Sequence, residues 1–190
     1  PMATRKALLK LAKDYGAFTA ASFVSEELAK PTTFGVLKFV DLLAINIDEA
    51  LALSGLSAEN PISTIIDACI QKVLTVNSAI KLLITDGKKG SYAYENSVVQ
   101  YLPAMRVKAV NTAGAGDALL AGLVIGLALD LPFMGTERAS CFTFSRLLAA
   151  MSVTSPDTIH FGINLASLHA FAEQHGQDFF GRLHSVQIEE

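Results

Sequence analysis

Hydrophobic and polar positions divide the chain into short apolar runs and longer stretches of helical spacing. Leu8, Leu9, Leu11 and Ala12 recur at helical spacing in TRKALLKLAKDYG, with Thr4 as N-cap and Gly16 as the stop. AFTAASF (17–23) then predicts a short strand. FVDLLAIN (39–46) is a second strand ending at Asn46, and IDEALALSG (47–55) opens a helix that Gly55 closes. NPISTIIDACIQKVL (60–74) predicts an amphipathic helix with Pro61 at its first turn. AIKLLITDG (79–87) is a compact apolar run ending in a turn, the pattern of a buried parallel strand. GSYAYEN (90–96) and SVVQYLPA (97–104) alternate across ENS and predict an antiparallel hairpin at one edge. After a strand at VKAV (107–110), helices are expected over 115–129, 134–152 and 164–175.

Strands that alternate with helices imply an α/β sheet with helices on both faces. No repeat, low-complexity tract or internal linker interrupts the 190 residues, so a single α/β domain over 1–190 is expected. Ligands of such sheets sit at the carboxyl ends of strands, which singles out the loops after LLAIN, LLITDG and VKAVNT.

Composition narrows the partners. With 51% hydrophobic residues the chain can bury a sizeable core, and a net charge of −3 offers no broad basic field for a nucleic acid. The apolar stretch from Ala118 to Leu129 is far short of the roughly 20 residues that span a bilayer, and Asp117 and Asp130 bracket it, so no membrane partner is expected. Cys69 and Cys141 lack C-x-x-C spacing and read as buried thiols of a reducing, cytoplasmic compartment. Pro1 before Met2 is expected of a cut or extended start, and no signal-peptide pattern follows it.

The third loop carries the most chemistry. In NTAGAGDALLAGLV (111–124), Gly114 and Gly116 let backbone approach a ligand closely, and the amino end of the following helix is an anion site. Asp117, in the first turn, is placed to take a proton from a hydroxyl brought beside that anion. The bare motif is also the ordinary pattern of a helix-capping aspartate. A dinucleotide fingerprint would need glycine where Leu119 stands, and no Gly-Lys-Ser/Thr of a Walker loop occurs.

The whole string resembles the C-terminal signature of the ribokinase-like (PfkB) carbohydrate kinases, D-T-x-G-A-G-D, departing from it only at Asn111. Asn46 and Glu49 in NIDE resemble the family's N-x-x-E element, and TDGKKG (85–90) its T-x-G-x-x-G nucleotide loop. Taken alone, Glu49 also reads as a helix-dipole residue and DGKKG as an ordinary turn.

The resemblance implies a three-layer α/β/α fold with a mainly parallel sheet, and transfer of the γ-phosphate of ATP to a hydroxymethyl group of a sugar or nucleoside. Asp117 would be the base, and the N–H groups of Gly114, Ala115 and Gly116 the anion hole. Thr85, Gly87 and Gly90 would face the nucleotide, with Asn46 and Glu49 organising Mg²⁺ through water. It also implies a monovalent cation, K⁺, at Asn111 and Ala113. Asparagine there keeps a carbonyl oxygen but loses the charge of the family's usual aspartate, which weakens the case for potassium. The adenine pocket is expected between about Cys141 and Asn164.

Family enzymes are longer, so the resemblance implies a C-terminal part lacking the N-terminal strands and the lid. The implied partner is the N-terminal half of the same enzyme, or a second copy in a homodimer. The alternative is a non-catalytic nucleotide- or partner-binding module derived from this fold. His160, His169, His175 and His184 show no ligand spacing, and Phe142, Phe144 and Phe171 read as core.

Overall fold

The computed structural model describes residues 2–135 and 139–177. These form two compact units: residues up to Gly87 together with Ser91–Tyr101, and Lys88–Gly90 together with the chain from Leu102 onwards. Nothing in the sequence marks that division, which falls just before the hairpin over 91–102 and at its last residue rather than at a linker.

The first unit holds a mixed sheet in the order β1 (Ala20–Ala21), β2 (Leu42–Asn46), β3 (Lys81–Thr85), β4 (Ser91–Glu95), β5 (Val98–Leu102). β1, β2 and β3 are parallel, and β4 returns antiparallel to β3. Asn96 and Ser97 join β4 to β5 with φ of 49° and 66°, the left-handed pair that a two-residue type I′ turn requires. Five helices accompany the sheet: α1 (Met2–Asp14), α2 (Ser25–Leu28), α3 (Pro31–Leu37), α4 (Ile47–Ser54) and α5 (Ile62–Leu74).

Alternate strand residues Leu43, Ile45, Leu82 and Ile84 pack with Ile65, Ile66, Cys69, Ile70 and Val73 of α5 in one apolar cluster. Leu42 and Leu83, which point the other way along the same strands, are buried as well. Burial on both faces is why β2 and β3 read as unbroken apolar runs. Cys69 lies inside the cluster, and burial pushes its thiol up to about 12. It and Cys141 are buried and outside any disulfide, consistent with structural rather than reactive thiols.

The first predicted strand shrinks to two residues. Asp41 accounts for its start: its carboxylate accepts the Thr19 N–H at 2.8 Å and the Thr19 hydroxyl at 2.9 Å, taking a donor that a longer ladder would use. Lys13 completes the knot at 2.7 Å, tying α1 to the amino end of β2. α2 and α3 lie where no element was expected. Each is short, and α3 starts at Pro31 as its first residue.

The second unit is built on α6 (Ala115–Ala128), α7 (Cys141–Ser152) and α8 (Leu165–Gln174). α6 is apolar nearly all round, and glycine lets it approach α7 at backbone contact. A Cβ on Gly122 would stand 2.5 Å from the Ser145 Cα. Phe142 and Phe144 are buried here as expected.

Two expectations are corrected. Residues 107–110 form no strand; the Val110 N–H donates instead to the Val153 carbonyl at the end of α7, at 2.8 Å. α7 begins at Cys141 rather than 134, because Ser140 caps it through a bond from the Thr143 N–H at 3.1 Å. Residues 136–138 of that expected helix, and His184, lie outside the described residues. No described helix is long and apolar enough to cross a membrane.

Candidate functional site

In the first unit, β2 ends at Asn46, which stands opposite Thr85 in the β2–β3 register. Asn46 is extended and caps α4, its Oδ1 accepting the Glu49 N–H at 2.9 Å. Glu49 answers with Oε2, which accepts the Asn46 N–H at 2.8 Å. The pair is a reciprocal capping box, so the dipole and cap role read from the sequence is real. It leaves the second Glu49 oxygen without a protein partner among the described residues. Gly87 opens a 3₁₀ turn, Gly87–Lys89, directly after β3. Parallel register therefore brings Asn46, Glu49, Thr85 and Gly87 to the carboxyl ends of two neighbouring strands, where this sheet class binds ligands.

Among the described residues no three His, Cys, Asp or Glu side chains gather as a metal cluster. One carboxylate at a strand end suits a Mg²⁺ ion held largely by water and phosphate oxygens, the usual arrangement for that cation.

In the second unit, Gly90 has φ of 125° and packs on the 102–104 backbone, a Cβ there standing 2.9 Å from the Pro103 Cα. Gly114, at φ 80° and ψ −4°, is the N-cap of α6. Its missing side chain makes room for the Thr158 carbonyl, which a Cβ would overlap. The Ala115 N–H makes a long bond of 3.3 Å to the Thr112 carbonyl, and the Ala118 N–H bonds the Gly114 carbonyl at 2.9 Å. Between them, the N–H groups of Gly116 and Asp117 have no protein acceptor among the described residues. Apart from its chain neighbours and the backbone of its own helix, no described atom lies within 4 Å of where a Gly116 Cβ would be.

Asp117 is the third residue of α6 and is exposed. Its carboxylate bonds neither the cap backbone nor any other described group, so the capping alternative does not describe it; Gly114 caps instead. An unpartnered carboxylate beside free N–H donors at a helix amino end is an arrangement in which a proton acceptor and an anion-binding helix terminus stand side by side.

Asn111 and Ala113 lie at the start of the same loop. Asn111 Oδ1 accepts the Ala113 N–H, and Asn111 Nδ2 donates to the Pro156 carbonyl, both at 2.9 Å. Thr158 and Pro156 were absent from the sequence reading. They meet the loop across more than 40 positions, and neither has a local pattern that signals it. Of the region expected to hold adenine, the structure makes α7 and the 153–164 segment.

Residues 3–164 match the family model described as pfkB family carbohydrate kinase. An Arabidopsis thaliana protein named "Probable fructokinase-7" is 29% identical over 137 residues, 71% of this chain and 38% of that protein. A Klebsiella pneumoniae fructokinase is 53% identical over 47 residues, 25% of this chain and 15% of that protein. Among solved structures, Arabidopsis thaliana ribokinase complexed with ribose and ATP superposes with a TM-score of 0.73 at 19% identity, covering 90% of this chain and 52% of that one. An Escherichia coli chain of the same fold, solved with ATP and Mg²⁺, gives 0.66 at 17% identity, covering 88% and 52%. The chain thus has the ribokinase-like α/β fold and spans about half the length of the kinases whose structures it matches. With its signature loop, its fold and a family match along most of its length in agreement, the chain belongs to the pfkB family of carbohydrate kinases.

Proposed function

We propose that the complete gene product transfers the γ-phosphate of ATP to a hydroxymethyl group of a sugar or nucleoside. The observation that carries this reading is Asp117, an exposed carboxylate with no structural partner in the first turn of α6, beside the unpaired Gly116 N–H. Asp117 takes the proton of the acceptor hydroxyl as its oxygen attacks phosphorus. The N–H groups of Gly114 and Gly116, and that of Ala115 on giving up its long bond to the Thr112 carbonyl, stabilise the charge on the transferred phosphoryl, which is where such reactions need it. Thr85, Gly87 and Gly90 face the nucleotide. Glu49 and Asn46 hold the waters of Mg²⁺, which when bound neutralises phosphate charge. Relatives named fructokinase and a ribokinase solved with ribose support a sugar acceptor.

Asp117→Asn in the complete gene product is expected to lower turnover by on the order of 10²–10⁴ while ATP still binds. Near-normal turnover would remove Asp117 from the role of base. A second reading is favoured by Asn111, which stands where the family signature has aspartate: a non-catalytic nucleotide- or partner-binding module. It takes the lead if the wild-type gene product binds ATP but phosphorylates none of a panel of sugars and nucleosides.

A further inference from the structure

The family resemblance places a monovalent cation at Asn111, and the side chain there does not fit one. Asn111 Oδ1 already accepts the Ala113 N–H at 2.9 Å, and Nδ2 donates to the Pro156 carbonyl at 2.9 Å. The neighbours fix which way the amide points. A backbone N–H only donates, so it must face the oxygen; a carbonyl only accepts, so it must face the NH₂. The group turned toward Pro156 is therefore a donor, where a cation site would present another oxygen.

The same two segments meet at further points. The N–H groups of Val110 and Asn111 both donate to the Val153 carbonyl, at 2.8 and 3.2 Å. The Thr158 carbonyl fills the space left by the absent Gly114 side chain. Asn111 thus joins the 153–158 segment to the loop that ends in Gly114, Ala115 and Gly116.

We propose that Asn111 is a positioning residue whose amide N–H bridges the Pro156 carbonyl to the anion loop, as a bound potassium ion would bridge two oxygens, so that the loop is set without a monovalent cation. The inference rests on the kinase reading for its effect on turnover, but not for its effect on the loop. Asn111→Asp replaces the donor with a second oxygen facing the Pro156 carbonyl. An acceptor left unpaired against another acceptor costs enough for an effect on the order of tenfold, unless a cation enters between them.

The test compares potassium chloride with choline chloride at matched ionic strength, using the complete gene product. Melting temperature without nucleotide is read first, then turnover with ATP and sugar. Wild type is expected to show equal melting temperature and equal turnover in the two salts. Asn111→Asp is expected to be lower in both quantities in choline and to recover in potassium. Asn111→Ala, which keeps neither bond and offers no oxygen, is expected to be impaired equally in both salts. A wild-type melting temperature or turnover that rises with potassium overturns the inference. Equal wild-type melting with no turnover in either salt overturns the kinase reading alone, and the Asn111→Asp melting difference then still supports the amide bridge.

Discussion

Two glycine-to-alanine substitutions, two positions apart, should move stability in opposite directions. Gly114 sits at φ 80°, where an L side chain costs about 1–2 kcal/mol. Its Cβ would also overlap the Thr158 carbonyl and stand 3.2 Å from the Thr158 Cγ2, an overpacking of about 1–3 kcal/mol. The narrower unfolded ensemble of alanine returns about 0.4–1 kcal/mol, leaving Gly114→Ala destabilising by about 1–4.5 kcal/mol. Gly116 has no positive φ, lies in the first turn of α6 and, its own helix and chain neighbours apart, has nothing within 4 Å of an added Cβ. Gly116→Ala is therefore expected to be neutral or to stabilise by up to about 1 kcal/mol.

Urea unfolding followed by far-ultraviolet circular dichroism measures both, and native-state hydrogen exchange of α6 amides assigns the change to the second unit. Thr158→Ala in the Gly114→Ala background should recover only a minor part, because the carbonyl that causes the overlap is backbone. Equal effects of the two alanines, or a Gly114→Ala protein within about 0.5 kcal/mol of wild type, would refute the packing of Thr158 over the loop.

The capping box separates structure from metal chemistry. Asn46→Ala removes the cap bond and should cost about 1 kcal/mol. Glu49→Gln keeps an acceptor for the Asn46 N–H and should unfold within about 0.5 kcal/mol of wild type, yet need roughly 10–100-fold more Mg²⁺ for half-maximal turnover. An unchanged Mg²⁺ dependence would leave Glu49 a cap only. The Asp41 knot gives a pH signature. Burial raises the Asp41 carboxyl, but the Lys13 ammonium and the Thr19 N–H and hydroxyl outweigh it and hold the group below its ordinary 3.8. A depressed carboxyl stabilises fully above the unfolded value and loses that contribution as pH falls through the folded one. The stability gap between wild type and Asp41→Asn should therefore be present at about pH 6 and shrink below about pH 4. A gap that stays constant down to about pH 3 would show that the Asp41 charge contributes nothing.

Local patterns carried the elements whose signals are local. β2, β3, α4 and α5 announce themselves by apolar runs and spacing, α4 by its Asn-x-x-Glu box and Gly55, and the hairpin by Asn96-Ser97. What escaped depends on partners far along the chain. β1 is cut short by Asp41, 22 positions from Thr19. Residues 107–110 look like a strand, but their neighbour is the end of α7. The site divides in the same way. Asp117, Asn46, Glu49 and the four glycines, Gly87, Gly90, Gly114 and Gly116, are readable in one dimension because first-turn and turn chemistry is local. The opposition of Asn46 and Thr85, and the bond from Asn111 to Pro156, arise only when distant segments meet.

The parallel register of β2 and β3 also sets where this chain can change length. Each strand is five residues long, and the last pair, Asn46 with Thr85, lies where strand gives way to loop. Adding or deleting one residue inside either strand would exchange the side chains packed on its two buried faces and carry its terminal residue away from the neighbour's. The connections of residues 55–61 between α4 and α5, and 75–80 between α5 and β3, have no such count to keep. Length variation among descendants of this sequence should therefore gather in those two connections, with the paired strand ends at Asn46 and Thr85 keeping their spacing to the residue.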